Sequence, residues 1–113
     1  GTPGGDAQDQ WTLEFLLRHL VDRSDLQAAV DAPTFQSLHA PISFWPRQAR
    51  PNVLQIEESW GAALLDALRA RGHELEVISE RSQGWMCAVQ FAPRGFLEAA
   101  ASERGRSCTA ITR

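Results

Sequence analysis

The segment from Val53 to Ile78 constrains the fold more than any other part of the sequence, because it places a helix pattern between two strand patterns. In VLQIE, apolar and polar residues alternate as in a half-buried strand. SWGAALLDALRARGH then has leucines at helical spacing and a glycine suited to the helix end, and ELEVI returns to a strand pattern. A β-α-β unit is therefore predicted. Ser59 is the expected N-cap, and the expected buried stripe contains Leu64, Leu65 and Leu68.

Two helices are predicted ahead of this unit. WTLEFLLRHLVD has apolar residues on one helical face, which favours a core-facing helix over residues 11–22. A second, short helix is expected to start at the cap residue Ser24 and to stop at Ala32, because Pro33 follows. The face of the first helix that should be buried contains Leu13, Leu16, Leu17, Leu20 and Val21.

The remaining segments complete an α+β pattern. Residues 33–51 hold four of the six prolines and are expected to form an irregular, ordered surface crossing. The apolar run WMCAVQF predicts a buried strand, and the turn at residues 92–95 leads into FLEAAA. We expect one domain over residues 1–113, with helices on a mainly antiparallel sheet that contains Val53–Glu57, Glu74–Ile78 and Met86–Phe91.

Composition narrows the range of partners and cofactors. Eleven basic and 14 acidic residues are interspersed, giving a formal charge of −3 without a basic run, so neither nucleic acid nor an anionic membrane is an expected partner. No apolar run approaches the roughly 20 residues of a membrane span. Cys87 and Cys108 lack metal-type spacing, and no disulfide is predicted, with Cys87 expected in the core. We predict no metal and no organic cofactor.

The histidines and tryptophans carry little functional signal by themselves. His19, His39 and His73 show no pair at metal-ligand spacing, and no Ser-His-Asp set can be assigned without geometry. His39, among turn residues and aromatics, is the strongest functional candidate of the three, although a structural hydrogen bond is its expected role. The tryptophans are expected to pack rather than to stack on a ligand; they are Trp11, Trp45, Trp60 and Trp85.

The opening stretch GTPGGD is the strongest candidate site. Pro3 restricts φ to the value of a turn, and Gly4 and Gly5 can adopt positive φ without a Cβ clash. Successive N–H groups of such a turn form a concavity for negative charge, either a phosphate or the oxyanion of acyl transfer. By itself a Pro-Gly-Gly stretch is more often a plain surface turn. The helix that follows would place its positive end nearby.

The order of these segments resembles the C-terminal part of the small subunit of gamma-glutamyltranspeptidases. The resemblance covers nearly the whole chain. It is carried by GTPGGD ahead of a helix, DAPTF, the crossing that bears His39, PNVLQIE, LRARGHELEV and ASER. GTPGGDAQDQW and HAPISFWPR are most similar to a bacterial branch of gamma-glutamyltranspeptidase-like acyltransferases.

The resemblance implies a fold, a reaction and a site. The family has the Ntn-hydrolase fold, a four-layer αββα sandwich formed by self-cleavage of a precursor into a large and a small subunit. Its nucleophile is the N-terminal Thr of the small subunit, and its oxyanion hole maps onto the backbone amides of Gly4 and Gly5. Thr2 cannot be that nucleophile, because its nitrogen is in a peptide bond instead of being a free amine. Asp6, Gln8 and Gln10 follow the turn without a pattern that requires substrate contact.

A gamma-glutamyltransferase or hydrolase that cleaves gamma-glutamyl amides such as glutathione is therefore expected. The chain would be a fragment, inactive alone, whose partners are the large subunit and the N-terminal part of the small subunit of the same precursor. In the parent enzyme, Gly4→Val is expected to lower kcat while folding largely survives.

The sequence also departs from the family pattern. Ser102-Glu103-Arg104 lacks a proline found in the family's closing stretch, Cys87 stands where a Gln is frequent, and Thr2 replaces the usual Ser. Two other functions remain open. One is a non-catalytic relative that serves as an interaction scaffold, and the other is a freestanding anion-binding domain.

Overall fold

The computed structural model describes residues 1–93, 95–104 and 109–111. The elements in chain order are α1 (Ala7–Leu16), a π-helical turn (Leu17–Val21), α2 (Leu26–Asp31), β1 (Phe35–Ser37), β2 (Val53–Glu57), a 3-10 turn (Glu58–Trp60), α3 (Ala62–Ala70), β3 (Glu74–Ile78), β4 (Cys87–Phe91) and β5 (Leu97–Ala101). They confirm an α+β chain. The backbone forms two compact units: unit 1 contains residues 1–32 and the chain from residue 83 onward, and unit 2 contains residues 33–82.

Unit 2 contains the predicted β-α-β arrangement. β2 and β3 pair in parallel, with Val53 opposite Glu74 and Glu57 opposite Ile78. β1 pairs antiparallel with the other edge of β2, so β2 is the central strand. The prediction of an irregular crossing is therefore wrong at β1, because the sheet recruits this short segment as its edge strand.

The limits of α3 follow the sequence only in part. The N-cap is Gly61 instead of Ser59, because the 3-10 turn takes up Glu58–Trp60 before α3 begins. Of the predicted stripe, Leu65 is buried, whereas Leu68 is half-buried and Leu64 is exposed. The predicted stop is confirmed, since Gly72 has a φ of +93° just beyond the helix.

Unit 1 buries a different helix face from the one predicted. The core cluster joins Trp11 of α1 to residues of α2, β5 and the chain just before β4, and Phe15 packs against it. The predicted face is solvent-exposed in unit 1, with exposed fractions from 40% to 67% at Leu13, Leu16, Leu17, Leu20 and Val21. Trp11, Phe15 and His19 follow one another at intervals of four residues, and the π-helical turn shifts the phase of the last residues.

The second helix begins and ends with specific contacts. Asp25, rather than the predicted Ser24, is the N-cap, and its carboxylate accepts from the Ala28 N–H at 2.9 Å. α2 ends before Pro33 as predicted. At that end, the Arg104 guanidinium donates to the carbonyls of Asp31, at 3.1 Å, and Ala32, at 2.8 Å. The closing Ser-Glu-Arg stretch thus holds the negative end of α2.

The hairpin of β4 and β5 departs most from expectation. The two strands pair antiparallel, with Cys87 opposite Ala101 and Phe91 opposite Leu97. Met86 is buried, but Cys87 is exposed, as are Val89 at 70% and Phe91 at 85%. The predictions of a buried strand and of a core position for Cys87 are therefore wrong. The prediction of a single sheet is also wrong, because the described strands form one three-stranded and one two-stranded sheet.

Two tryptophans pack as predicted and two do not. Trp11 is buried, and Trp60 meets the Phe35 ring edge-on with centroids 6.3 Å apart. Trp45 is 90% exposed and Trp85 is 44% exposed, so the prediction of a packed side chain is wrong for these two. Cys108 lies outside the described residues.

Candidate functional site

The glycine turn has the backbone conformation that its sequence predicts. Gly4 has a φ of +139° and Gly5 a φ of +56°, both in the region that side-chain-bearing residues rarely adopt. Their carbonyl oxygens accept from the first turn of α1, Gly4 from Ala7 and Gly5 from Gln8, each at 3.1 Å. The turn is thereby fixed to the start of α1.

The amides of the turn are available to a ligand. Within the part of the chain that the structure describes, neither the Gly4 nor the Gly5 N–H donates to a protein acceptor, and both residues are exposed. They also lie next to the N-terminus of α1, where helix dipoles are positive. Two donors of exposed residues at this position, neither with a protein acceptor, are suited to an anion or to a developing negative charge. Their role as an oxyanion hole stays a prediction.

The Trp11 ring explains why position 4 requires glycine. A Cβ atom built on Gly4 would lie 2.2 Å from Cζ3 of Trp11, and that ring belongs to the core of unit 1. The expectation that Gly4→Val would leave folding largely intact is therefore wrong, since the side chain would displace a buried ring as well as strain φ. Glycine at this position serves the fold as well as any ligand.

Thr2 lies beside the turn without the features of a nucleophile. Its nitrogen is acylated in a peptide bond, and its hydroxyl donates to the Pro3 carbonyl at 2.8 Å. An activated Thr needs a free amine or another base within hydrogen-bond reach. The structure thus places acceptor-free amides, and no competent nucleophile, among the described residues of the turn.

His39 has the structural role favoured by the sequence. Its Nδ1 accepts from the Asn52 N–H at 3.1 Å, ahead of β2, and the side chain is exposed. Among the described residues, no group of three His, Cys, Asp or Glu side chains has the arrangement of a metal site. In the same residues no helix has both the length and the apolar character that crossing a membrane requires.

His19 is the polar centre that sequence reasoning missed. Its Nδ1 lies 2.9 Å from the Ser24 carbonyl, and its Nε2 lies 2.7 Å from Oε1 of Gln90. The Gln90 amide nitrogen donates to Glu98 at 2.7 Å, which leaves the amide oxygen to face His19. Both ring nitrogens therefore face acceptors, and the imidazolium satisfies both.

The direction in which the pKa of His19 shifts follows from this geometry. The hydrogen bond to Gln90, followed by that to Ser24, raises the pKa of His19, and the nearby carboxylates of Glu98 and Asp25 act in the same direction. Both ring nitrogens are already engaged by protein acceptors, which leaves neither free to act as a general base. His19 instead joins the π-helical turn to the β4–β5 hairpin. Phe15 stacks on the ring with centroids 5.8 Å apart.

Comparison with known proteins gives curated relatives over nearly the whole chain. The oxamate amidohydrolase proenzyme of Klebsiella pneumoniae is 27% identical over 112 residues, which are 97% of this chain and 20% of that protein. The acylase ACY 1 proenzyme of Pseudomonas sp. is 35% identical over 104 residues, which are 92% of this chain and 16% of that protein. This chain therefore spans about a fifth of the length of these relatives.

Solved structures also match this chain over its whole length. LmbA2991HD is 43% identical with a TM-score of 0.93, over 100% of this chain and 20% of that one. Gamma-glutamyltranspeptidases and a cephalosporin acylase share the fold, which confirms an α+β part of the Ntn-hydrolase architecture. The family model described as gamma-glutamyltranspeptidase matches residues 1–112. The chain belongs to the gamma-glutamyltranspeptidase family.

Proposed function

We propose that this chain is the C-terminal part of the small subunit of a gamma-glutamyltransferase or hydrolase. The full-length enzyme would cleave gamma-glutamyl amides such as glutathione through an acyl-enzyme. The observation that carries the proposal is the pair of exposed, acceptor-free amides of Gly4 and Gly5 at the N-terminus of α1. Their setting inside the family match makes acyl transfer a better explanation than a plain surface turn.

The turn suits the step in which charge develops. Attack on an amide carbonyl converts its oxygen into an oxyanion, which two fixed N–H donors stabilise more strongly than the neutral carbonyl. Because Gly4 and Gly5 are held by α1 through their carbonyls, little reorganisation is needed when the charge appears. The curated relatives named as an amidohydrolase and an acylase support an amide as the bond that is broken.

The proposed enzyme needs a nucleophile from outside these 113 residues. We place it on an N-terminal Thr or Ser of the small subunit, which self-cleavage of the precursor would release with a free amine. The large subunit and the rest of the small subunit are thus proposed partners of this chain. The chemistry as proposed uses no metal or organic cofactor, so a chelator should leave the rate unchanged.

The test compares two p-nitroanilides on the full-length protein. Gamma-glutamyl-p-nitroanilide should release p-nitroaniline, and glutaryl-p-nitroanilide, which lacks only the α-amino group, should react more slowly. The 113-residue chain alone should release none, because it has the donors without the nucleophile.

Each possible result of this assay has a distinct meaning. Faster release from the glutaryl compound would support an amide acylase but would exclude specificity for gamma-glutamyl amides. No release from either compound, in a processed and folded full-length protein, would contradict the enzyme and favour the scaffold. Release by the chain alone would contradict the external nucleophile.

A further inference from the structure

The first residue of the chain is already paired with β4. The Gly1 amine donates to the Cys87 carbonyl at 2.6 Å, and the Cys87 N–H donates to the Gly1 carbonyl at 2.8 Å. Two residues that exchange both hydrogen bonds form the hydrogen-bonded pair of an antiparallel ladder. The backbone at Gly1 therefore lies along the edge of β4 that faces away from β5.

Among the described residues of unit 1, none pairs with the rest of that edge. The Met86 carbonyl accepts from the Ser102 N–H at 2.9 Å, and the Ala92 N–H donates to the Phe96 carbonyl at 2.8 Å. Since bonding direction alternates along a strand, even-numbered residues of this segment bond towards β5, and Val89 and Phe91 direct their N–H and C=O groups outward. An unpaired edge of this kind is a template for another strand.

A groove runs beside the open edge. It has a volume of about 390 Å³, and its wall is formed by Gly1, by the helix residues Phe15, Leu16 and Leu20, and by Val89 of β4. Leu16 is 40% exposed and Leu20 is 65% exposed, although both are apolar. The groove thus offers an apolar surface next to unpaired backbone groups.

We infer that the polypeptide immediately N-terminal to Gly1 in the full-length protein forms a strand along β4, antiparallel to it, over this groove. The inference rests on the proposal that the chain is part of a longer protein. Continuing the Gly1–Cys87 ladder, the first residue before Gly1 lies opposite Ala88, the second pairs with Val89, and the fourth pairs with Phe91.

The register also sets which side chains enter the groove. Opposed residues of an antiparallel pair point to the same face, and Gln90 of β4 points to the helix face, where it contacts His19. The first and third residues before Gly1 therefore face Leu16 and Leu20 and should be apolar. The glycine turn then lies between this strand and α1, so both of its ends are fixed.

The test is a disulfide cross-link in the full-length protein with Cys87 and Cys108 replaced by Ser. Ala88→Cys is combined with Cys at the first residue before Gly1, which is a closely spaced, non-hydrogen-bonded pair suited to a disulfide. The matched control combines Ala88→Cys with Cys at the second residue before Gly1, which points to the opposite face. We expect an intramolecular disulfide, identified by peptide mass spectrometry, in the first pair and little in the control.

Other results would overturn the inference. Equal cross-linking of both pairs, or none in a folded protein, excludes this register. Disulfide-linked dimers would show that a second copy occupies the edge instead. If the variants fail to fold, amide hydrogen exchange on the unsubstituted full-length protein decides, because the Val89 and Phe91 amides must be protected, and rapid exchange there contradicts the strand. Neither measurement reads turnover, so an inactive protein that cross-links as expected would contradict only the proposed chemistry.

Discussion

β2 and β4 are both apolar strands in the sequence, yet only β2 is covered by its own unit. β2 lies between β1 and β3, and its Ile56 is 2% exposed. β4 has β5 on one side, and its Phe91 is 85% exposed. The partners of β2 are close to it in sequence, whereas the described residues of unit 1 leave one face of β4 uncovered. An apolar strand pattern therefore does not by itself show that the strand is buried within its own unit.

Truncating one side chain in each strand should give the largest difference in stability between β2 and β4. In the 113-residue chain, Ile56→Ala is expected to lower the free energy of unfolding by about 2–5 kcal/mol, because it leaves a cavity in a packed core. Phe91→Ala should change it by less than about 0.5 kcal/mol, because the ring is already in solvent. Urea unfolding of both variants measures the difference. Similar losses would mean that β4 is covered within the chain itself.

The stability of unit 1 should depend on Arg104. The guanidinium donates to three carbonyls, those of Asp31, Ala32 and Gln83. Because charged hydrogen bonds contribute more than neutral ones, Arg104→Ala should destabilise unit 1 by about 2–3 kcal/mol, and Arg104→Lys should recover only part of the loss. Arg69→Ala, which removes an exposed pair with Asp66, is the control and should cost less than about 0.5 kcal/mol. If Arg104→Lys recovered all of the lost stability, the planar guanidinium group would not be the stabilising feature.

The two units should also respond to pH in opposite directions. In unit 1 the pKa of His19 is raised by Gln90 and Ser24, so its stabilising contribution is fully present below its unfolded pKa of about 6.5 and is lost as the pH rises through the folded pKa. The stability difference between wild type and His19→Gln should therefore shrink as the pH is raised above 6.5. A difference that grows over this range would exclude the imidazolium network.

In unit 2 the smallest effect is expected at Glu76. Its pKa is lowered, first by the hydrogen bond from Gln55 at 2.6 Å and then by Arg50. Its contribution is present above the unfolded pKa and is lost as the pH falls through the folded pKa. Glu76→Gln should therefore match wild type more closely at low pH than at pH 7, by a small amount because the pair is solvent-exposed. An identical stability difference at both pH values would show that the charge of the Glu76 carboxylate does not stabilise unit 2.

The local features of the chain could be predicted from its sequence. Positive φ at Gly4 and Gly5 follows from the Pro-Gly-Gly turn, and the end of α3 follows from Gly72. Both N-cap predictions missed by one or two residues, and the larger failures depend on distant residues. His19 meets Gln90, which is 71 residues away, and no spacing in the sequence indicates that pair.

The wrong face of α1 has a similar origin. Its leucines form the more apolar stripe, but unit 1 buries Trp11 and half-buries Phe15, four residues apart. That spacing was visible in the sequence, and the size of the aromatic rings was the signal that could have favoured it. The candidate site itself was predictable as a turn, whereas the Trp11 ring beneath Gly4 was not.

The most direct test of the glycine turn removes one N–H donor without adding a side chain. In the full-length protein, glycolic acid in place of Gly4 converts that amide into an ester and adds no side chain against the Trp11 ring. Lactic acid in place of Ala62, at the start of α3, is the control for the same chemical change. If the Gly4 amide stabilises the oxyanion, kcat for gamma-glutamyl-p-nitroanilide should fall about 100- to 1,000-fold with a much smaller change in KM, while the control stays near wild type. An unchanged kcat in the folded Gly4 ester would contradict the site.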